Sequence, residues 1–205
     1  MELLAKLLGG IERVKIMRFF LHHDEDFVSL HTVSEKTKTK SVDARKELTT
    51  LTSIGFIEKK KTRSFSLSGK KESKVKETFA FKLNKEFPHN QALEDLLFDF
   101  ETLDKRELAV RFKLIGRIKL FIVSGVFIGD SKSRVDILIV GEAIKRPKAE
   151  KIFEALSAEI GREVVYSIMD VDEFEYRNKM YDKFVRDILD MPHEKVIDKL
   201  SKQAF

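Results

Sequence analysis

No cysteine occurs in the 205 residues, so neither a disulfide nor a thiolate metal site is open to this chain. No apolar run approaches the roughly 20 residues that a membrane-spanning helix needs. No signal-peptide pattern opens the sequence, because Glu2, Lys6, Glu12 and Arg13 break up its first apolar residues. The histidines at 22, 23, 31, 89 and 193 are scattered, without metal-ligand spacing. A Ser/His/Asp order, a phosphate-binding Gly-x-x-x-x-Gly-Lys motif and an internal repeat are all missing. The expectation is a cytoplasmic protein that does not engage a membrane.

What is present is charge, unevenly placed. The formal net charge is +5. Residues 1–85 hold 19 Lys and Arg against 11 Asp and Glu, whereas residues 86–205 hold 20 against 23. The basic excess therefore lies wholly in the N-terminal part, which implies a polyanion partner for that part alone. The 17 Phe supply ample core, and the length suits one large or two small domains.

In the N-terminal part, Val14, Met17, Phe20 and Leu21 recur at helical spacing and predict a helix from Ile11 to His22. Phe27 to Leu30 reads as a short strand. Thr32-Val33-Ser34-Glu35 has the form of a capping box that opens a short helix. Lys38-Thr39-Lys40 is a polar turn. Ser41 can cap a second, longer helix over Val42–Ile54, buried through Ala44, Leu48 and Leu51 and stopped by Gly55. Phe56 to Lys61 begins a strand, and Lys74 to Leu83 returns with period-2 alternation, which predicts a hairpin with a polar tip. Lys59 to Lys76 carries eight basic residues (Lys59, Lys60, Lys61, Arg63, Lys70, Lys71, Lys74 and Lys76) against the single acid Glu72.

Two short helices across a tight turn, followed by a basic hairpin, resemble the winged helix-turn-helix of small transcription regulators. The step Leu51-Thr52-Ser53-Ile54-Gly55-Phe56-Ile57-Glu58-Lys59-Lys60 is similar to their helix end and wing start. The resemblance covers about residues 10–85 and implies binding of double-stranded DNA. Lys38, Thr39, Lys40 and Ser41 would meet phosphates at the recognition-helix N-terminus. Arg45, Lys46 and Thr49 would face the major groove, with Arg45 reading a guanine edge. Lys59, Lys60, Lys61, Arg63, Lys70 and Lys71 would follow the backbone or enter the minor groove.

Beyond Asn84–Asn90, which holds Pro88, comes an amphipathic helix over Gln91–Phe100. It bridges the domains or serves dimerisation. Asp104 to Glu107 has the form of a helix start, and its helix should end near Gly116. Ile118 to Val123 reads as a strand. Ser124-Gly125 then leads through Gly129 to Ser133-Arg134-Val135-Asp136-Ile137-Leu138-Ile139-Val140, a second strand carrying one acid in its apolar run. Pro147 is placed at the first position of a helix stopped by Gly161. Val164 to Met169 is a further strand, two more helices open at Asp170 and Asp182, and the segment after Pro192 reads as a last helix.

The turn and strand from Ser124 to Gly141 resemble the signature of minimal nucleotidyltransferases, and the likeness extends over about residues 104–190. In that family a Gly-Ser turn precedes Ser-Asp-x-Asp-Leu, and two metal ions sit between the carboxylates. Here Asp136 matches the second acid and Arg134 replaces the first. The turn order is reversed, and the strand Glu163–Asp170 has no acid at its middle. The resemblance thus implies the fold without the catalytic pair, with Arg134 and Asp136 expected to form an ion pair. Ser124, Gly125, Gly129, Ser133 and Asp136 remain as candidate nucleotide contacts. No catalytic residue, metal ligand or cofactor is assigned.

The expected fold is a two-domain α+β and α/β chain: a winged helix over residues 1–86, a connecting helix over 87–103, and a small nucleotidyltransferase-like mixed sheet flanked by helices over 104–205. The expected function is a DNA-binding transcriptional regulator, acting as a homodimer, whose second domain dimerises, senses a nucleotide ligand or binds a protein partner. Two alternatives stay open. One is an active, antitoxin-like nucleotidyltransferase moving AMP to a partner protein with magnesium and a nucleotide. The other is a protein- or RNA-interaction module.

Overall fold

The computed structural model describes residues 2–65, 75–99, 104–130 and 132–200. The chain is mixed α+β and divides into two compact units, Met1–Phe98 with Ala158–Arg162, and Asp99–Ser157 with Glu163–Phe205.

The first unit runs α1 (Glu2–Leu8), α2 (Ile11–His22), β1 (Val28–Ser29), α3 (Leu30–Lys36), α4 (Ser41–Ser53), β2 (Ile57–Phe65), β3 (Val75–Leu83) and α5 (Asn90–Leu97). Its sheet is antiparallel with order β1-β3-β2. The hairpin register is unbroken from Ile57 opposite Leu83 to Phe65 opposite Val75. The core forms where the helical and strand periodicities meet. Val14, Ile16, Phe19 and Phe20 of α2 pack with Ala44, Leu48 and Leu51 of α4 and with Ile57, Phe81 and Leu83 of the hairpin. Gly55, at φ 79°, lets the chain leave α4 in a left-handed turn, and Phe56 N–H reaches back to Leu51 O at 3.0 Å. Phe56 is thereby buried under the helix it ends.

Arg18 is buried among these apolar residues and 2% exposed. Its Nε donates to Leu97 O at 2.8 Å, and its Nη1 donates to Glu159 O at 2.8 Å in the same unit. Desolvation pulls its pKa down to about 10, which still leaves it charged at neutral pH.

In the second unit α6 (Lys105–Arg111) leads to β4 (Arg117–Val123), a 3₁₀ turn (Gly125–Ile128), β5 (Ile137–Glu142), α7 (Arg146–Ile160), β6 (Tyr166–Asp170), α8 (Val171–Lys179), α9 (Lys183–Asp190) and β7 (Glu194–Asp198). The last three residues of α7 count with the first unit. The sheet order is β6-β5-β4-β7, with β5 and β6 parallel and the other pairs antiparallel. Leu120, Ile122, Leu138 and Val140 share one face and pack on Phe174, Val185 and Ile188 of α8 and α9. On the other face Phe121 meets Phe112 at 5.5 Å between ring centres, and Phe112 meets Phe153 of α7 at 4.8 Å. A strand covered on both sides is apolar at every position, which explains Ile137 to Val140.

Four local expectations are corrected. The N-cap of α3 is Ser29, whose Oγ accepts from Thr32 N–H at 3.1 Å, rather than Thr32. Pairing of Val28 and Ser29 with β3 ends at Ser29, so the helix starts three residues earlier than the capping-box pattern placed it. The helix capped by Asp104 stops at Arg111 because Phe112 and Ile115 turn inward and are fully buried. Pro147 falls one residue inside α7, which begins at Arg146. The segment after Pro192 is the edge strand β7, not a helix. Its pairing with β4 satisfies backbone groups that an exposed β4 edge would leave open.

The β4–β5 register slips between Ile118 and Leu120, and Gly141 lies beside that irregularity. A Cβ there would stand 2.5 Å from Arg117 O and 3.1 Å from Ile118 Cα. Gly141→Val is therefore expected to cost about 2 kcal/mol or more by overpacking. Denaturant unfolding measures it.

Candidate nucleic-acid interface

Helix α4 owes its orientation to the residues it buries. Ala44, Leu48 and Leu51 point into the core, and Glu47 beside them is 9% exposed. Arg13 of α2 meets Glu47 Oε2 through Nε at 2.6 Å, which fixes the helix against rotation. Val42, Lys46, Thr49 and Ser53 consequently line the opposite, exposed side. Arg45 and Thr52 lie on the flank toward the hairpin.

The turn before α4 is locked by its own polar groups. Lys38 takes φ 51°. Thr39 N–H donates to Ser34 O at 3.0 Å, and Ser34 Oγ donates to Thr39 O at 2.6 Å. Lys38, Lys40 and Ser41 are exposed, whereas Thr39 is 6% exposed and its hydroxyl donates to Thr37 O at 3.4 Å. The N-cap of α4 is Lys40, which makes no side-chain cap, and Ser41 is the first helical residue.

The basic strand splits by parity. Lys59 and Lys61 share the face of Ile57, which points toward the helices, and Lys60 takes the other face. Lys59 Nζ stands 3.8 Å from the centre of the Phe79 ring, and Lys60 Nζ stands 5.6 Å from that of Phe27. The backbone of Arg63 lies in β2 opposite Glu77. The side chain of Arg63 and all of Lys70 and Lys71 fall outside the described residues.

Between α4 and the hairpin runs a groove of about 810 Å³, lined by Leu30, Arg45, Thr49, Lys59, Phe79 and Phe81 among others. Two exposed apolar residues of this region escape the sequence pattern. Phe79 alternates in step with the buried Phe81 and Leu83, yet it is 42% exposed because the hairpin runs beyond the helices. Val42, at the start of α4, is 80% exposed, and its place off the Ala44–Leu48–Leu51 stripe is the signal that reveals it.

The second set of candidates, around Asp136, is drawn together differently. Asp136 is 3% exposed. Its Oδ1 accepts from Val126 N–H at 2.8 Å and its Oδ2 from Val165 N–H at 2.9 Å. Gly125 takes φ 56°, and a Cβ on it would run into Asp136 Oδ1. Ser124 is 2% exposed and donates to Val135 O at 2.5 Å. Gly129 caps the 3₁₀ turn at φ 70°, and Ser133 Oγ donates to Asp130 Oδ2 at 3.4 Å. The expected Arg134–Asp136 ion pair is replaced. Arg134 meets Asp187 Oδ2 through Nη2 at 2.7 Å and through Nε at 2.8 Å. The inward turn of Asp136 onto backbone amides leaves α9 to supply the carboxylate. Among the described residues, no three His, Asp or Glu side chains converge to hold a metal ion.

Asp136 thus joins the 3₁₀ turn to the chain entering β6. Asp136→Ala leaves the part-buried Val126 and Val165 N–H groups without this acceptor and is expected to cost about 2 kcal/mol or more, while Arg134→Ala costs under about 1 kcal/mol at its half-exposed pair. Thermal and urea unfolding of the two variants distinguish them.

No protein-family model matches the chain, and neither a curated protein nor a solved structure matches it.

Proposed function

We propose that the protein is a DNA-binding transcriptional regulator whose first unit is a winged helix. The observation that carries the reading is the exposed side of α4. It presents Val42, Lys46 and Thr49 opposite the buried stripe, with Lys59 and Lys61 on the helix-facing side of the adjoining hairpin. A helix of this kind offers base-edge contacts, and flanking lysines offer phosphate contacts. Lys38 and Lys40 extend the positive surface to the start of α4.

In the same reading the second unit is a nucleotidyltransferase-like domain without its catalytic carboxylate pair, serving dimerisation, ligand sensing or partner binding. Support comes from the β-strand order and from the use of Asp136, which holds two backbone amides instead of facing solvent.

The test is binding to genomic DNA fragments across a salt series. Each phosphate contact adds about 0.9 to the slope of log affinity against log salt. Lys59→Ala and Lys61→Ala are each expected to flatten it by about one unit, and Lys60→Ala, on the opposite face, to leave it unchanged. Val42→Asp places a negative charge on the exposed side of α4 and should lower affinity about tenfold or more with an unaltered Tm. Absence of binding to any fragment at low salt overturns the reading.

A further inference from the structure

The groove beside α4 carries a mismatch with simple duplex binding. Phosphates are matched by cations and polar donors, but Leu30, Phe79 and Phe81 give this groove an apolar lining. A stacked base pair shows the protein its edges and, at thymine, a methyl group, but not its ring face, so a paired duplex cannot stack on an aromatic surface. Yet the surroundings are cationic. Arg45 and Lys59 line the groove, and Glu77 is the one acid among its lining residues. Lys61 follows on the same strand face as Lys59.

An exposed aromatic ring in a basic channel is the arrangement that binds unpaired nucleotides. The ring takes the base, and the cations take the phosphates on either side. The volume of about 810 Å³ falls in the range of sites that enclose a small organic group. Thr49 and Thr52 donate their hydroxyls to Arg45 O and Leu48 O within α4, which leaves their oxygens as acceptors for a base edge along the helix side.

We infer that this groove receives an unpaired nucleotide, so that the preferred substrate is a duplex carrying an extrahelical or single-stranded base next to the paired segment read by α4. Lys59 Nζ stands 3.8 Å over one face of Phe79, so the base lies against the opposite face, and Arg45 and Lys59 hold its flanking phosphates. This inference rests on the proposed DNA-binding role of the first unit and specifies its substrate.

Two labelled probes test it by fluorescence anisotropy: a fully paired duplex, and the same duplex with one extrahelical thymidine. The wild-type chain is expected to bind the bulged probe about tenfold tighter. Phe79→Ala, at an exposed site, should lose that preference while binding the paired duplex within about twofold of wild type. Phe79→Tyr should retain it. Arg45→Ala should weaken the bulged probe more than the paired one. Equal, salt-sensitive binding of both probes by the wild type overturns the inference and leaves the DNA-binding role standing. An equal loss on both probes in Phe79→Ala also overturns it. Failure to bind either probe at low salt overturns both readings together.

Discussion

Ala44, Leu48 and Leu51 press one side of α4 against Val14, Ile16 and Phe20, and the Arg13–Glu47 pair at 2.6 Å stops that helix from rolling. All that the first unit presents around α4 follows from this contact. A helix has one angular freedom once its axis is set, and burying a stripe of three apolar residues removes it. The opposite side must then carry Val42, Lys46 and Thr49, and the flank must carry Arg45. The hairpin is placed by the same core, since Ile57, Phe81 and Leu83 belong to it. Parity along β2 and β3 then carries Lys59, Lys61 and Phe79 beyond the core on the helix-facing side. The groove between helix and hairpin is a consequence of two periodicities sharing one core.

The second unit depends in a similar way on one buried carboxylate. Asp136 sits where the chain enters β5, and its two oxygens take amide protons from the 3₁₀ turn and from the chain entering β6. A buried charge is tolerated only when hydrogen-bonded, and Asp136 is matched by backbone donors. Gly125 permits the approach because any Cβ would collide with the carboxylate. Ser124, Gly125 and Asp136 therefore share one structural use, the joining of the 3₁₀ turn to the strands on either side. Arg134, expected beside Asp136, instead ties the loop before β5 to α9 through Asp187.

Much of the fold was readable locally. The stripe of α2, the stop of α4 at Gly55, the alternation of Thr78 to Leu83 and the Asp104 cap each depend on neighbours within one or two turns. The failures have a common origin in distant contacts. Thr32 lost its capping position because β1 pairs with β3, some fifty residues away in sequence. The segment after Pro192 became β7 because β4 had an open edge, not because Val196 and Ile197 forbid a helix. Phe79 shares a strand face with the buried Phe81 and Leu83 and is still 42% exposed, because alternation reports the face of a strand and not where the covering layer ends.

The sequence by itself determined most of the helices and strands, the two core patterns and the unequal division of charge. Those properties are set by composition and by short-range periodicity. Tertiary structure alone decided that Thr39 is buried while Lys38 and Lys40 are exposed, that Lys60 parts company with Lys59 and Lys61, and that Arg45 and Phe79 line one groove. It also decided that Arg134 pairs across 53 residues with Asp187. A partner at that separation is chosen by packing, because only the assembled core brings the two chain segments within reach of a hydrogen bond.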